Sequence, residues 1–336
     1  MRTSLVLLSL LVAAGGACKK DSAPAPSGGG TGTGSGGTGG GSGGGGGKGP
    51  TGWLVGNSAV LAHVGADGSV AYGNAPIPSV QLNNIACRYE GEAWVVGNGG
   101  TLLYTNDGGT TWTSQQVPAT ADLRAVGTQD DGPVFVVGNS GAFLESDDTG
   151  ATWRNLGDGV AAFRSIAAAQ DGGTVLAISD DGGVWSYDGA AITRTATLTG
   201  ARAVALSPDG MLVLVVGTNA MWSSSDAGVT WTSLTVGQTV AFDDVRLDQD
   251  GNGVAVGTGG AVALVQPNGE VVMNHAGTAD LHTVHIGGWG AVGEQGYTAG
   301  EGGQVYTSVD GGWTWELGPN IGETLYGVDS IGDGHR

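Results

Sequence analysis

An eight-residue motif of the form S/T-x-D-x-G-x-T-W occurs four times in this chain, at residues 105–112, 146–153, 224–231 and 308–315. The copies pair Asp107 with Trp112, Asp148 with Trp153, Asp226 with Trp231, and Asp310 with Trp315. Worn relatives fall at Asp67-Gly68, Asp188-Gly189 and Asn268-Gly269. In order, positions 67, 107, 148, 188, 226, 268 and 310 advance by about 40 residues. A period of that length marks one supersecondary unit stacked on its neighbours, because a single unit cannot bury its own apolar face.

Two further series share the period and identify the contents of the unit. Runs rich in β-formers end on a small residue before a turn: Trp53–Gly56, Trp94–Gly97, Phe135–Gly138, Leu176–Ser179, Leu214–Gly217, Val254–Gly257 and Tyr297–Gly300. A second set reads as inner strands: Leu82–Ile85, Leu123–Val126, Phe163–Ile166, Ala201–Val204, Phe242–Val245, Leu281–Val284 and Leu325–Val328. Strands repeating at this spacing are propeller blades. The first unit, from Trp53, has no inner strand ahead of it, and the inner strand at 325–328 has no unit behind it. The sequence therefore predicts an all-β, seven-bladed propeller over 51–336 whose C-terminal strand closes the first blade. Closure removes the open sheet edge between first and last blades.

The motif has a structural chemistry of its own. Its Asp accepts turn N–H groups and Ser/Thr hydroxyls, and its Gly relieves an unusual backbone angle. Its Trp inserts between blades, worth about 2–3 kcal/mol each. The motifs sit on the hairpin between third and fourth strands, around the rim, so their carboxylates do not converge on one substrate. This is the Asp box, or BNR repeat. Together with the Trp94–Trp112 run WVVGNGGTLLYTNDGGTTW, it makes residues 51–336 resemble the photosystem II assembly and stability factor family. The resemblance implies a seven-bladed binding chaperone with arginines concentrated on one face. Sialidases, xyloglucan hydrolases and sortilin-type receptors also carry Asp boxes, so the box alone does not decide function.

The N-terminus has a different character. Met1-Arg2 is a short positive region and Leu5–Ala14 an apolar run too short to span a bilayer. Residues 1–17 read as a signal peptide. Gly15-Gly16-Ala17-Cys18 resembles a lipobox, which implies that Cys18 becomes the lipidated first residue; plain cleavage after Ala17 would leave a free thiol instead. Residues 18–50 continue as a Gly/Ser/Thr linker that cannot build a core, with a flexible-coil span of roughly 30 Å. The expected product is an exported protein held on a bacterial membrane by its lipid, facing the periplasm or the outside.

The formal charge is −19, and all three lysines (Lys19, Lys20, Lys48) precede residue 51. The propeller's cations are Arg88, Arg124, Arg154, Arg164, Arg194, Arg202, Arg246 and Arg336. So acidic a body repels nucleic acid and anionic lipid. Besides Cys18, Cys87 is the other cysteine, in a core strand where it reads as a small buried hydrophobe. The chain is expected to act as a monomer, without a cofactor.

The candidate ligand site is the second residue of each inner strand: Asn83, Arg124, Arg164, Arg202, Asp243, His282 and Tyr326. All are polar or amphipathic among apolar neighbours, and three arginines fall in consecutive blades. They are expected to recognise a protein partner or other anionic ligand; the competing reading pairs each Arg with a carboxylate of a neighbouring blade. No residue is assigned a catalytic role. The enzymatic alternative is a glycan-active, sialidase-like propeller, but Phe163-Arg164-Ser165-Ile166 lacks the Pro of the sialidase F-R-I-P motif and no Tyr/Glu partner is evident. Asp248, Asp250 and Asn252 match the first half of a calcium loop, whose twelfth place holds Gly259 instead of an acid. His282 and His285, three apart on one strand, point to opposite faces and do not share a metal.

The anchor has a direct test. Cys18→Ser should release the processed protein from the membrane fraction; unchanged retention would contradict lipidation at Cys18.

Overall fold

Each sequence run read as a strand is a strand, and the strands pair in fours into seven antiparallel sheets. The computed structural model describes residues 51–331 other than 66–67, 89–90, 158, 249 and 288–294. The leader, the linker with Cys18, Asp67 and Arg336 lie outside the described residues. From inner to outer strand, blade one is Leu325–Ile331, Thr51–Gly56, Leu61–Val64 and Val70–Tyr72. Blade two is Leu82–Arg88, Glu92–Gly97, Thr101–Thr105 and Thr113–Ser114. Blade three is Leu123–Thr128, Val134–Gly138, Phe143–Ser146 and Arg154–Asn155. Blade four is Phe163–Ala168, Val175–Ser179, Gly183–Tyr187 and Ile192–Thr197. Blade five is Ala201–Leu206, Val213–Gly217, Ala220–Ser224 and Thr232–Leu234. Blade six is Phe242–Leu247, Gly253–Gly257, Ala261–Val265 and Val271–His275. Blade seven is Leu281–Ile286, Gly296–Gly300, Gln304–Ser308 and Glu316–Asn320.

The second strands are buried on both faces, as in Val134–Gly138 and Val213–Gly217. A sheet packed between two others needs apolar groups on each side, so these strands are continuous apolar runs. Burial is divided among the blade interfaces. Trp53, Val55, Leu82 and Ile85 join blades one and two, and Leu54, Ala62, Tyr297 and Val305 join blades one and seven. Each Asp-box Trp reaches the preceding blade: Trp112 meets Trp53 edge-on with centroids 5.6 Å apart. Trp153, Trp231 and Trp315 pack likewise on the clusters shared with blades two, four and six.

The four boxes repeat one hydrogen-bond set. Asp107 Oδ1 accepts the Thr105 hydroxyl at 2.8 Å and the Thr111 N–H at 2.9 Å, while Oδ2 accepts the Thr111 hydroxyl at 2.7 Å. Asp148, Asp226 and Asp310 do the same with their own Ser and Thr. The donated bonds hold the Asp226 carboxyl at about 2, first through the Thr230 N–H. The box glycine sits at φ 90° at Gly150, a left-handed angle that costs glycine least. The worn boxes keep fragments: Asp188 caps Ala190 and Ala191, and Asn268 caps Glu270.

The C-terminal strand closes the ring as expected. Leu325–Ile331 pairs antiparallel with Thr51–Gly56, placing Asp329 opposite Trp53 and Val328 opposite Leu54. The inner strands follow one another cyclically around the axis. Each is an edge strand, so its axial N–H groups need partners beyond its own sheet. Side chains of the preceding blade supply them: Asn84 to Val126 at 3.2 Å, Ser165 to Val204 at 3.2 Å, Asp244 to Val284 at 3.0 Å, and Thr283 to Val328 at 3.0 Å. At the seam, Asp329 Oδ2 accepts the Cys87 N–H at 2.8 Å and Oδ1 lies 2.7 Å from His285 Nδ1. Burial pushes the Asp329 carboxyl up, but His285, Arg246 and the Cys87 N–H pull it further down, to about 2. Cys87 is a buried free cysteine, its thiol raised well above the usual value first by burial and then by Asp329.

Two outcomes are expected. Deleting residues 324–336 should strip blade one of its inner strand and abolish the cooperative melt of the full chain; identical melting would contradict the closure. The Asp329 carboxyl sits below its unfolded value of about 3.9, so its stabilisation is complete above about pH 4 and lost as pH falls toward about 2. Asp329→Asn should therefore be less stable than the parent at pH 5, with the gap closing toward pH 2, read by denaturant melts.

Candidate functional site

All seven inner strands carry a β-bulge near their start. The pairing register skips one residue between Leu82 and Asn84, Leu123 and Ala125, Phe163 and Ser165, Ala201 and Ala203, Phe242 and Asp244, and Leu281 and Thr283. In blade one the skip falls between Leu325 and Gly327. The skipped residues are Asn83, Arg124, Arg164, Arg202, Asp243, His282 and Tyr326. The whole candidate set thus occupies one special backbone position, where the extra residue is released from the ladder and its side chain re-aimed.

Opposite each bulge the second strand ends, in six blades on a glycine. These glycines are extended, so their backbone angles do not demand glycine; the approach of the next chain does. A Cβ at Gly138 would sit 2.2 Å from the Asp122 carbonyl oxygen, and one at Gly300 would sit 2.0 Å from that of Asp280. Gly56, Gly97, Gly217 and Gly257 face the same obstruction. Blade four has Ser179 there, its hydroxyl donating to Asp181 and accepting from Trp185 Nε1.

The residue after this position forms a second polar ring beside the first: Asn57, Asn98, Asn139, Asp180, Thr218, Thr258 and Glu301. Each sends its N–H to the carbonyl just ahead of its blade's inner strand, which for Thr218 is that of Gly200. Sequence reasoning passed over this ring, although its members follow the small-residue mark in every blade.

The two rings exchange bonds around the axis. Asn83 Nδ2 donates to Asn98 at 2.9 Å and to the Leu123 carbonyl of the next blade at 2.7 Å. Arg124 Nη1 reaches both oxygens of Asp180, in blade four, at 2.8 and 2.9 Å. Arg202 is ion-paired with Asp243 of blade six, whose other oxygen meets His282 Nδ1 at 2.9 Å. His282 in turn stacks on Tyr326, centroids 5.2 Å apart. Burial raises the Asp243 carboxyl, but His282 and Arg202 draw it below its ordinary value. Two of the three arginines are therefore struts between blades as well as members of the ring.

Arg164 is the exception. Among the described residues it has no ion pair and no side-chain hydrogen bond, though it lies between the two compensated groups. Burial, then the charges of Arg202 and Arg124, lower its pKa against the opposing pull of Asp180 and Asp243. It remains a cation, since guanidinium does not deprotonate in proteins. A half-buried guanidinium with idle donors is costly until an anion fills them.

The other candidates fall elsewhere. Asp248 spends its carboxylate on its own turn, accepting the Asp250 and Asn252 N–H groups and the Asn252 amide at 2.8–2.9 Å. Gly259 lies in the turn Thr258–Gly260 at the far end of that blade's second strand. His282 and His285 engage different carboxylates, Asp243 and Asp329. Two Tyr–Glu pairs that the sequence did not disclose are present: Tyr104 with Glu92 at 2.7 Å, and Tyr187 with Glu145 at 2.8 Å, the latter bridged by Arg154. Burial and the paired carboxylate push both phenols up to about 12. Tyr187 ends its strand opposite Val175, at the end of the blade away from the bulge. Ser330 Oγ, His285 Nε2 and Asp329 form a sequence of contacts at 2.9 and 2.7 Å like a hydrolase relay. The imidazole is only 3% exposed, and Asp329 also accepts the Cys87 and Ser330 N–H groups, so this cluster is a clasp joining blades seven, one and two.

Residues 48–145 match the family model described as photosynthesis system II assembly factor YCF48. No curated protein matches the chain. Among solved structures, YCF48 from Cyanidioschyzon merolae is 18% identical with a TM-score of 0.58, over 75% of this chain and 88% of that one. YCF48 bound to D1 peptide is 19% identical with a TM-score of 0.55, over 71% and 80%. A catalytically inactive variant of virginiamycin B lyase from Staphylococcus aureus, with quinupristin, is 13% identical with a TM-score of 0.60, over 71% and 84%. The chain is a seven-bladed propeller like the photosystem II assembly factors, and the same architecture also carries a lyase.

The bulge predicts a contrast between glycines. Gly138→Ala should destabilise by about 1–3 kcal/mol because a carbonyl blocks its Cβ. Gly127→Ala, whose nearest neighbour would be 3.6 Å away, should leave the melting midpoint nearly unchanged. Equal effects would remove the steric basis given for the bulge.

Proposed function

We propose that this chain is a non-catalytic binding propeller that recognises an anionic group, most simply a carboxylate, on a protein partner at the bulge ring. The observation that carries this reading is Arg164, a half-buried guanidinium without a counter-ion among the described residues, between the Arg124–Asp180 pair and the Arg202–Asp243–His282 group. Arg164 supplies the planar fork for a carboxylate. Arg124 and Arg202 are held by their struts and contribute field more than free donors. The acidic remainder of the body disfavours anions elsewhere on the surface. A relative of the same fold has been solved with a peptide bound, which supports a protein segment as the kind of ligand. In this reading the propeller works as a monomer, and the Cys18 leader tethers it to a bacterial membrane by its lipid.

The glycan-active alternative has less behind it, because both Tyr–Glu pairs hold protonated phenols and Tyr187 lies at the wrong end of its blade. Hydrolysis of any member of a glycan panel would favour that alternative.

The binding test uses acidic peptides with free and amidated C-termini, measured by calorimetry. Arg164→Gln should weaken binding at least about tenfold, about 1.4 kcal/mol, and more than Arg124→Gln or Arg202→Gln. Asp180→Asn should strengthen it by freeing Arg124. If the triple glutamine variant unfolds while binding per folded molecule is unaltered, the arginines are struts alone and the reading fails.

A further inference from the structure

The last Asp box departs from its sisters at two places: Val309 stands where they have Asn106, Asp147 and Ser225, and Trp313 is the larger change. Between box glycine and box threonine the first three copies have Thr110, Ala151 and Val229; the fourth has Trp313. That indole is 46% exposed, a large apolar face at a rim position where the repeat itself needs no side chain. Its backbone is fixed by the Asn274 amide, which donates to the Trp313 carbonyl at 2.6 Å across from blade six.

Facing it across the same blade boundary is the turn that resembles half a calcium loop, whose Asp250-Gly251 repeats Asp131-Gly132, Asp171-Gly172 and Asp209-Gly210 of the sister blades, and whose flanking Asp248 and Asn252 do not recur there. Asp248 is consumed inside that turn, but the Asp250 carboxylate bonds to nothing among the described residues. Trp313 and Asp250 line one groove of about 370 Å³, together with Asn252, Gln266, Leu264 and Asp310. The Asn252 amide is tied to Asp248, and the Asp310 oxygens are filled by Ser308 and Thr314. What the groove offers a ligand is therefore a free carboxylate, the field of a second one, and an open indole face. Among the described residues no cation lines it.

We propose that this groove binds a basic side chain, an arginine or lysine on an exposed segment of a partner protein, with the cationic head at Asp250 and its stem over Trp313. A cation brings only donors, which suits a lining rich in acceptors. Indole faces attract cations, and a neighbouring carboxylate adds a charge-assisted bond. The acidic body steers a basic segment toward the surface without selecting where it lands; the open indole of Trp313 beside the Asp250 carboxylate does the selecting. This surface is separate from the bulge ring and does not depend on the reading given for it.

The test uses fluorescence polarisation of a short arginine-containing peptide and its citrulline counterpart on the full-length chain. The arginine peptide should bind and the citrulline peptide should not. Trp313→Ala and Asp250→Asn should each weaken binding about tenfold, with melting midpoints unchanged, since both side chains are outside the core. Asp171→Asn, an exposed acid in another blade, should leave binding as it is. Equal losses in all three variants, or none in any, would mean diffuse attraction to the acidic body and would overturn the proposal. So would displacement of the peptide by a neutral oligosaccharide and not by arginine.

Discussion

The carbonyl just ahead of each inner strand presses on the last residue of the second strand, and the rest of the channel mouth follows from that contact. In six blades the space left for a side chain there is nil, so glycine holds the position. Beside this contact the inner strand of every blade, blade four with Ser179 included, takes up an extra residue as a bulge, and the bulged side chain leaves the ladder. Seven blades repeat the geometry, so seven side chains that are far apart in sequence share one ring. Most of those side chains are spent holding one blade to the next, as Asn83, Arg124, Arg202, Asp243 and His282 show, and Arg164 is the ring cation left for a ligand among the described residues.

Two polar systems stabilise the ring and divide the labour by depth. On the rim, the Asp boxes satisfy their turns internally, and each Trp ties its blade to the one before. Along the axis, Asn84, Ser165, Asp244, Thr283 and Asp329 satisfy the edge N–H groups of the next inner strand. Both systems consume their own carboxylates, which is why an acidic chain has few idle acids at these places. The groups left unspent, Arg164 at the mouth and Asp250 beside Trp313, are therefore informative.

Blade count, closure by the C-terminal strand and the role of the boxes were legible in the sequence because each leaves a mark of fixed period. The seven ring residues were legible as a repeat position too, since Asn83 and its equivalents stand out against apolar flanks. Their bulge was not, because a skipped register leaves no mark in composition. The charge state of the ring was hidden for a different reason: Asp180 and Asp243 reach Arg124 and Arg202 from the next blade, at sequence separations that no local pattern reports. The same is true of the Tyr187–Glu145–Arg154 cluster and of the seam at Asp329. The resemblance to assembly factors fixed the architecture and the expectation of arginines on one face, but not which arginine stays unpaired.

The central claim is that the bulge ring presents one available guanidinium, and guanidinium NMR addresses it most directly. The Nε–Hε signals of the arginines are followed while acetate, then a peptide with a free C-terminal carboxylate, is added to the full-length chain. The account predicts a saturable shift at Arg164 and little change at Arg124 and Arg202 while Asp180 and Asp243 hold them. Uniform, unsaturated drift of all three signals, or saturation at Arg124 with Arg164 silent, would contradict it.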